Sequence, residues 1–248
     1  MLLGHSIVVI MPAYNAAKTL RQTVAELPRE IIDEIIITDD ASTDSTAALA
    51  RELGLHTLVH PRNRGYGANQ KTCYREALSR GADIIVMVHP DYQYSPRLVT
   101  ALASMIASDH YDLVLGSRIL GGNPRGGGMP LYKYAANRVL TLAENLMVGA
   151  KLSEYHTGFR AYSRHLLECI PFESNSDDFV FDNELILQAL HFGFKVGELS
   201  CPTRYFAEAS SISFRRSVIY GLGVLWSASR YRLQHLGLAH FDIFTGRS

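Results

Sequence analysis

The chain has 248 residues, with 24 Lys and Arg balanced by 24 Asp and Glu and an apolar content of 47%. This composition is typical of a folded globular protein and excludes a disordered, collagen-like or coiled-coil chain. A formal charge of zero argues against a nucleic-acid partner, because domains that follow nucleic-acid phosphates usually carry a clear basic excess. The length predicts one large domain or two small ones.

The cysteines and the N-terminal residues indicate the cellular compartment in which the protein resides. Cys73, Cys169 and Cys201 are odd in number and lack close spacing. The first residues show no basic stretch ahead of their apolar run and no small-residue cleavage site. No stretch reaches the roughly 20 apolar residues of a membrane-spanning helix; the longest candidate is the uncharged run 217–229. These features predict a reduced, cytoplasmic protein.

The first half of the chain alternates short β-branched runs with helical patterns. Strands are predicted at 6–11, 34–38, 55–59, 83–88 and 113–116. Helices are predicted between them, at about 17–27, 43–53, 68–80 and 96–108. Asn15 is the expected cap of the first helix, and Ser95 with Pro96 is expected to open the last. Each helix can carry a crossover between parallel strands, so the pattern indicates a mainly parallel sheet.

The second half opens with a glycine-rich segment, 121–128, that we predict to be a mobile lid. Further helices are predicted at about 131–148, 182–191 and 214–236, and strand-like segments at 157–162 and 195–200. The expected division is a domain of residues 1–212 and a C-terminal helical extension, 213–248. Because Trp226 of this extension has arginines on both sides, it could pack on the domain or lie at a membrane surface.

Polar segments follow the predicted strands at the edge where ligands of parallel sheets bind. They are 12–15, 39–44, 61–67, 89–93 and 116–118. Asp39 and Asp40 are adjacent carboxylates at the end of an apolar strand, and burying two unpaired charges is costly. Contact with a ligand is therefore favoured for this pair, and helix capping for Asp44.

His89, Pro90 and Asp91 follow the fourth predicted strand, and Pro90 fixes the backbone between imidazole and carboxylate. Gln93 adds an amide oxygen. This donor set suits a divalent cation such as Mn²⁺ or Mg²⁺ better than a soft metal, which would want thiolates. A proline-containing turn with a solvated Asp91 is an equally good interpretation from position alone.

Other patterns leave alternatives open. The segment 63–69 could cradle an anion at a helix N-terminus or be a turn that needs positive φ. Arginine forks match phosphate oxygens, although a lone arginine usually forms a surface salt bridge; the candidates are Arg118, Arg160 and Arg204. Among the acidic residues near the last predicted helices, Asp182 is singled out. No role is assigned to His156, His165 and His191, because such histidines are more often structural than ligands.

Six ordered motifs resemble those of family 2 glycosyltransferases, and most closely the dolichol-phosphate mannosyltransferase-like branch. They are Pro12-Ala13-Tyr14-Asn15, Asp39-Asp40-Ala41-Ser42-Thr43-Asp44, Asn63-Arg64-Gly65-Tyr66-Gly67, His89-Pro90-Asp91, Gly116-Ser117-Arg118 and Thr157-Gly158-Phe159-Arg160. The resemblance spans about residues 6–211. It implies a GT-A fold, an α/β architecture with a Rossmann-like, mainly parallel sheet flanked by helices. It also implies a nucleotide-sugar donor, Mn²⁺ or Mg²⁺, and inversion at the anomeric carbon.

The resemblance further implies roles for single residues. The donor would be bound by Pro12, Tyr14, Thr38, Asp39, Asp40, Asn63, Gly65, His89 and Pro90. The metal would be bound by Asp91 and Gln93 with His89 beside the diphosphate. The catalytic set would be Asp91, Arg118, Arg160, Asp182 and Arg204. In that set Arg118 and Arg204 would face the diphosphate or sugar and Arg160 an acceptor phosphate, while Asp182 or Glu184 would act as a base only for a hydroxyl acceptor.

The chain departs from the family pattern at two positions. His89 stands where relatives usually have Asp, which exchanges an anionic oxygen for a neutral nitrogen and favours Mn²⁺ over Mg²⁺. Ser210 and Ser211 stand where relatives have Ser-Lys, and Arg215 is a candidate for the missing cation.

The expected function is inverting transfer of a hexose from a UDP- or GDP-sugar to a polyprenyl phosphate at the cytoplasmic face of a membrane. A membrane surface or a membrane protein would then be a partner. Two alternatives stay open. One is transfer to a soluble saccharide acceptor, and the other is a nucleotide-sugar-binding module that has lost catalysis.

Overall fold

The computed structural model describes residues 1–121, 128–203 and 214–246. Its strands are β1 Ile7–Ala13, β2 Glu34–Asp39, β3 His56–Val59, β4 Ile84–Met87, β5 Leu113–Ser117, β6 Arg160–Ser163 and β7 Val196–Ser200. They form one sheet in the order β3-β2-β1-β4-β6-β5-β7. Only β6 runs against its neighbours, β4 and β5. The predicted mainly parallel sheet is confirmed.

The helices lie on both faces of this sheet. They are α1 Ala17–Ala25, α2 Thr46–Glu52, α3 Tyr66–Ser79, α4 Val99–Ala107, α5 Leu131–Val148, α6 Arg164–Cys169, α7 Phe181–His191 and α8 Phe214–His235. Short 3-10 turns lie at Pro96–Leu98, Phe172–Ser174 and Asp242–Phe244. Alternate residues of β1 serve the two faces, as the period of a strand requires. Val9 packs with α1 and α4, and Ile10 packs with α3 and α7.

The start of α1 differs from the prediction. The helix begins after Ala16, and Asn15 is not its cap. The side-chain oxygen of Asn15 instead accepts a hydrogen bond from the Thr43 N–H at 2.9 Å. The Ala17 N–H donates to the carboxylate of Asp44, in the same loop after β2, at 3.1 Å. Asp44 also accepts from the first N–H of α2, that of Thr46, at 2.9 Å, so it caps two helices and joins two of the polar loops.

The C-terminal helix lies along the domain. α8 packs against α5 and α7. The chain then turns back, and Ile243 and Phe244 are buried against Leu187 of α7 and Tyr231 of α8. The Gln188 side chain donates to the Ile243 carbonyl at 2.8 Å. None of the helices in the three described ranges is long and apolar enough to cross a bilayer.

Some predicted features lie outside the described residues. They are most of the glycine-rich segment expected to be a lid, at 122–127, and the positions Arg204, Ser210 and Ser211.

Candidate active site

The polar loops converge on one cavity of about 1680 Å³ at the carboxyl edge of the parallel strands. The predicted site residues that line it are Pro12, Tyr14, Asp40, Asn63, Gly65, His89, Pro90, Asp91, Gln93, Arg118 and Asp182. Helices α5 and α8 complete the wall. The sheet thus brings together residues that are far apart in the chain.

Thr38 and Asp39, both predicted to bind the donor, are buried outside the cavity lining. The Thr38 hydroxyl accepts from the Cys73 thiol at 3.2 Å, and its carbonyl accepts from the Asn69 amide at 3.0 Å. The Asp39 carboxylate accepts from the Ser42 N–H at 3.0 Å and from the Ser42 hydroxyl. Donor contact by Thr38 and Asp39 stays a prediction. Both residues shape the loop after β2, because their polar atoms are satisfied within the protein.

Asp40 remains on the cavity wall and holds the next loop in place. One of its oxygens accepts from His60 Nδ1 at 2.7 Å and from the Arg64 N–H at 2.9 Å. The other accepts from the Gly65 N–H at 3.0 Å. These bonds compensate the burial of the carboxylate and fix the loop 60–65 beneath the cavity.

The N-terminus of α3 is occupied by protein and offers no anion cradle. The N–H groups of Gly67 and Ala68 donate to the Asp177 carbonyl at 2.8 and 3.3 Å. A Cβ at Gly67 would lie 2.3 Å from the Ser176 carbonyl oxygen, so glycine is required by this close approach. Gly65 has φ of 99°. Of the two alternatives for this segment, the structure favours the turn.

His89 lies in a slot between Tyr66 and Gly158. Its Nε2 is 3.0 Å from the Tyr66 hydroxyl, and the two rings are stacked with centroids 5.6 Å apart. A Cβ at Gly158 would lie 2.3 Å from the same nitrogen. Gly158 of the Thr157–Arg160 motif is therefore the residue that admits the imidazole.

Asp91 is half-buried on the cavity wall, and its carboxylate accepts from the Gln93 N–H at 3.1 Å. Burial raises the pKa of Asp91 above its ordinary value, against an opposing effect of His89 and of the Gln93 bond. A cation beside this carboxylate would oppose the effect of burial.

Asp182 is anchored on both oxygens. One accepts from the Tyr66 hydroxyl at 2.7 Å and the other from the Gln70 side chain at 2.9 Å. Glu184 lies outside the cavity lining, where it accepts from the Ser176 N–H at 2.7 Å and bonds Arg230 of α8. Both carboxylates are held by neighbouring groups in the structure. The role of Asp182 or Glu184 as a base for a hydroxyl acceptor stays a prediction.

Arg160 is completely buried and does not line the cavity. Its guanidinium donates to the carbonyls of Thr157 at 2.7 Å and Tyr155 at 3.1 Å, and to that of Asp182. It lies 3.8 Å from the Asp182 carboxylate. In the structure the Arg160 guanidinium thus faces backbone carbonyls, and contact with an acceptor phosphate stays a prediction. A buried guanidinium needs partners for its N–H groups, and the backbone supplies them.

Arg118 lines the cavity and is hydrogen-bonded to Glu154, a fully buried residue that is not among the predicted site residues. The side chain and the backbone N–H of Arg118 each donate to Glu154 at 2.8 Å. Asn137 of α5 donates to the same carboxylate at 2.7 Å. Burial alone would raise the pKa of Glu154, but Arg118 holds it below its ordinary value. Glu154 stays ionised and orients Arg118.

The part of the cavity wall formed by α5 and α8, here called the helical wall, carries mostly apolar residues. They are Tyr132, Lys133, Ala136, Asn137, Val139 and Leu140 of α5 and Arg216, Ser217, Val218, Tyr220 and Gly221 of α8. His156 joins this wall, although no role was assigned to it. Its Nδ1 is 2.9 Å from the Tyr220 hydroxyl, and its Nε2 is 3.4 Å from the Glu144 carboxyl. Burial raises the pKa of Glu144 to about 8 and lowers that of His156 to about 4.

The outer side of the same two helices exposes large apolar side chains. We call this surface the apolar face: Leu131, Val139, Leu142 and Leu146 of α5 and Val218, Ile219, Leu222 and Trp226 of α8, each 48–74% exposed. Val139 and Val218 belong to both the apolar face and the helical wall. Groups of exposed apolar residues are typical of interaction surfaces.

The model of the family described as glycosyl transferase family 2 matches residues 8–171. The chain belongs to glycosyl transferase family 2. The predicted family membership and a glycosyltransferase activity are thereby confirmed.

Curated relatives match this family 2 chain over most of its length. It is 30% identical over 220 residues to the uncharacterized protein MJ1222 of Methanocaldococcus jannaschii, covering 89% of each chain. It is 27% identical over 241 residues to the UDP-N-acetylglucosamine–dolichyl-phosphate N-acetylglucosaminyltransferase of Methanococcus voltae, covering 88% of this chain and 95% of the relative. It is 28% identical over 200 residues to the polyprenol monophosphomannose synthase of Mycolicibacterium smegmatis, covering 77% and 74%. The expected likeness to the dolichol-phosphate branch is confirmed.

Solved structures show the same fold. The crystal structure of glucosyl-3-phosphoglycerate synthase from Mycobacterium tuberculosis with phosphoglyceric acid matches with a TM-score of 0.73 at 20% identity, covering 99% of this chain and 87% of that chain. The complex of that synthase with Mg²⁺ and uridine diphosphate matches with a TM-score of 0.71 at 20% identity, covering 96% and 81%. The predicted GT-A fold is confirmed.

Proposed function

We propose that this family 2 protein transfers a hexose, with inversion, from a nucleoside diphosphate sugar to a polyprenyl phosphate at the cytoplasmic face of a membrane. One observation carries the proposal. A single cavity joins the polar loops after β1, β2 and β4 to the helical wall, and the outer side of that wall is the apolar face. A polar donor and a lipid-linked acceptor need such a combination of surfaces.

The donor would lie against the polar loops. Tyr14 is 54% exposed at the cavity and offers a ring to a base, while Asp40, Asn63 and Gly65 offer a wall for base and ribose. One relative is named for a UDP-sugar, and similar crystal structures contain uridine diphosphate. Uridine is therefore the first base to test.

A divalent cation would be held by Asp91 and Gln93, with His89 beside them. The donor set fits, because carboxylate and amide oxygens suit Mg²⁺ and Mn²⁺. The described part of the chain gathers no group of three His, Cys, Asp or Glu side chains around a metal position. Phosphate oxygens of the donor and water would complete the shell, as is usual for Mg²⁺. When bound, the cation stabilises the negative charge on the leaving diphosphate.

The acceptor would enter along the helical wall, towards Arg118. An oxygen of its phosphate attacks the anomeric carbon as the bond from that carbon to the diphosphate breaks, which inverts the configuration. A phosphate is already anionic and needs no base. This agrees with the hydrogen bonds that the Asp182 and Glu184 carboxylates accept from neighbouring groups of the protein. A phosphate acceptor is thus favoured over a hydroxyl acceptor.

The apolar face supports docking on a membrane. Leu222 and Trp226 lie one turn apart on α8, and the exposed Arg215, Arg216 and Arg232 lie near its two ends. Apolar residues with flanking arginines bind the interface of anionic bilayers. Two relatives are named for lipid phosphates, one for dolichyl phosphate and the other for polyprenol monophosphomannose.

The test is transfer by the purified protein. UDP-glucose, UDP-N-acetylglucosamine and GDP-mannose are each supplied with Mn²⁺ or Mg²⁺ and with polyprenyl phosphate in anionic vesicles. We expect a lipid-linked sugar from one donor, and at least a ~100-fold lower rate for Asp91→Asn. Asp109→Asn, at the other edge of the sheet, is the matched control because Asp109 is exposed and remote from the cavity.

Two outcomes would contradict the proposal in different ways. Transfer to phosphoglyceric acid or to a soluble saccharide, with none to the lipid, would overturn the acceptor. Binding of donor without turnover on any acceptor would favour the module that has lost catalysis.

A further inference from the structure

Three polar side chains form a connected path from the protein interior to the cavity. Glu144 of α5 is fully buried, and the side chain of His156, in the turn before β6, is 8% exposed. His156 Nδ1 lies 2.9 Å from the hydroxyl of Tyr220 on α8. His156 and Tyr220 line the cavity, whereas Glu144 does not. We call Glu144, His156 and Tyr220 the polar triad.

The inner end of the polar triad holds two buried atoms that lack other partners. Among the residues that the structure describes, neither Glu144 Oε2 nor His156 Nε2 has a hydrogen bond. They lie 3.4 Å apart, and a shift of about 0.5 Å would bring them to ordinary hydrogen-bond length. The other oxygen of Glu144 accepts from the Asn183 side chain of α7. Because an unpaired buried polar atom is costly, a proton should join Glu144 to His156.

The residue that owns this proton decides the direction of the whole polar triad. A neutral imidazole has one N–H and one lone pair. When the Glu144 carboxyl is protonated, it donates to Nε2 of His156, and Nδ1–H donates to the Tyr220 oxygen. The Tyr220 proton can then be donated into the cavity. When Glu144 is ionised, Nε2–H donates to Glu144 and Nδ1 accepts the Tyr220 proton, which is lost to a ligand.

Burial favours the first arrangement. It raises the pKa of Glu144 to about 8 and lowers that of His156 to about 4, so both are uncharged at neutral pH. In the described part of the chain Glu144 has no arginine or lysine within ion-pair distance, and its nearest charge partner is His156 itself. A carboxyl group that is desolvated and not paired with a fixed cation keeps its proton.

Other charged and titratable groups face the polar triad from several elements. They are Arg138 of α5, Arg118 after β5, Glu154 and Tyr155 before β6, Arg160 of β6 and Asp182 of α7. The two carboxylates among them are paired, Glu154 with Arg118 and Asp182 with Arg160 at 3.8 Å. Burial raises the pKa of Tyr155 and Tyr220 well above the ordinary 10. Glu144 is therefore the group of this cluster whose ionisation would reverse the triad.

We propose that the Tyr220 hydroxyl donates a hydrogen bond to the phosphate of the lipid acceptor, and that Glu144 acts through His156 to keep the hydroxyl in this direction. The inference rests on the proposed function, which puts that phosphate at the helical wall near Arg118. Arg118 is close to Tyr220, because it opposes the effect of burial on the pKa of the hydroxyl. Tyr220 touches the ligand, whereas Glu144 and His156 are positioning residues.

The consequence is a dependence of acceptor binding on pH. As the pH rises through 8, one proton leaves the polar triad for solvent. Glu144 becomes a carboxylate, the imidazole proton moves from Nδ1 to Nε2, and Tyr220 turns its proton towards His156. The Tyr220 oxygen then offers the acceptor phosphate only a lone pair. We expect the KM for the acceptor to rise about tenfold, as for the loss of a hydrogen bond to a charged group.

The first test reads the protons without any substrate. In protein with ¹⁵N-labelled histidine, long-range proton–nitrogen correlation spectra show which imidazole nitrogen carries the proton. We expect Nδ1–H on His156 at pH 6.5 and Nε2–H at pH 9, since these values bracket the pKa of Glu144. The His156→Gln variant identifies the signals, and where it fails to fold, the change with pH in the unsubstituted protein identifies them. Nε2–H at pH 6.5 would overturn the inference.

The second test is the KM for polyprenyl phosphate, measured beside the donor KM at pH 7 and pH 9. In Glu144→Gln the amide donates to His156 Nε2 at both pH values, so we expect the low acceptor KM at both. In Tyr220→Phe we expect the high acceptor KM at both. Glu30→Gln is the matched control, because Glu30 is exposed, and it should follow the unsubstituted protein.

The outcomes separate this inference from the proposed function. Parallel pH profiles of Glu144→Gln and the unsubstituted protein would overturn the role of Glu144, and a change in the donor KM alone would overturn the assignment of Tyr220 to the acceptor. In both cases transfer to the lipid would leave the proposed function standing. Absence of transfer to polyprenyl phosphate by the unsubstituted protein would overturn the proposed function and, with it, the ligand of Tyr220.

Discussion

The two sides of the cavity are built in different ways. On the donor side the polar groups are buried and held by several partners, as in the loop that Asp40 fixes through His60, Arg64 and Gly65. On the helical side, α5 and α8 expose large apolar residues. A side-chain hydrogen bond joins Tyr220 of α8 to His156. The protein's own hydrogen bonds therefore hold the donor side in shape, whereas the helical side leaves apolar side chains exposed to solvent.

The largest effect is expected on the donor side, from Arg118→Met. It leaves Glu154 buried without its cation, and loss of one partner of a buried pair costs about 3–5 kcal/mol. Transfer should also fall by ~100-fold or more, because a cation facing the phosphates is lost. Urea unfolding and the transfer assay measure the two effects.

The double variant Arg118→Met with Glu154→Met is the control for that experiment. An apolar pair removes the unpaired charge, so most of the stability should return while activity does not. Recovery of activity in the double variant would show that Arg118 is not needed for transfer.

The next effect concerns the helical side and depends on pH. The pKa of Glu144 is raised to about 8 in the folded protein from the ordinary 4.5, so only the unfolded chain releases this proton between those values. The contribution of the protonated Glu144 to the free energy of unfolding is complete below pH 4.5 and is lost as the pH rises through 8. The lowered pKa of His156 acts in the opposite sense, but only below pH 6.5.

Glu144→Gln isolates this behaviour. Between pH 6.5 and 8 the unsubstituted protein should lose about 2 kcal/mol that the variant does not lose. The other charged and polar groups that face Glu144 are Asn183, His156, Arg160, Tyr155 and Tyr220. Urea unfolding at the two pH values measures the slope, with the exposed Glu30→Gln as the control. Parallel slopes in both proteins would contradict the burial of an uncharged Glu144.

A smaller effect should separate membrane binding from folding. Leu142→Gln and Leu222→Gln alter residues that are 60% and 64% exposed on the apolar face. Each should change the free energy of unfolding by less than ~0.5 kcal/mol, and weaken co-sedimentation with anionic vesicles by about tenfold. Val59→Gln, exposed on the edge strand β3, should leave vesicle binding unchanged. Equal vesicle binding by all three variants would argue against the apolar face as the docking surface.

The smallest effect is expected for Tyr220→Phe. The hydroxyl bond to His156 is lost, which costs about 1 kcal/mol. We expect a higher KM for the lipid acceptor with little change in the KM for the donor, because Tyr220 lies on the helical wall. A change in the donor KM alone would show that Tyr220 acts on the donor side, and would contradict this division of the cavity.

Much of the fold could be predicted because its signals are local. The β-branched runs end in polar loops, and the glycines that follow the helices mark their ends. α5 begins and ends at the predicted residues, 131 and 148. The polar residues after the strands gather at one edge because parallel strands require it.

The rest depends on distant contacts that the sequence does not display. Glu154 meets Arg118 across 36 residues, and neither has a neighbour in the chain that signals the pair. Arg160 has the side chain of a phosphate ligand, yet the carbonyls that surround it come from the turn before β6 and from α7. Asn15 has the side chain of a helix cap and bonds the loop after β2 instead. In each case the residue type predicts a polar interaction, but the sequence does not show which group the partner is.

The place of β6 in the sheet has a consequence for synthesis of the chain. β5 is hydrogen-bonded only to β6 and β7, so it has no neighbour when it leaves the ribosome, while β1 to β4 can already pair. β6 joins β4 to β5 once residues up to Ser163 are available, and β7 pairs with the other edge of β5 only when residues up to Ser200 have been made. Before β6 is made, the free edge of β4 and both edges of β5 are open to other chains. A fragment that stops before Arg160 should therefore aggregate, and any help from chaperones is needed most while the segment between β5 and β6 is being made.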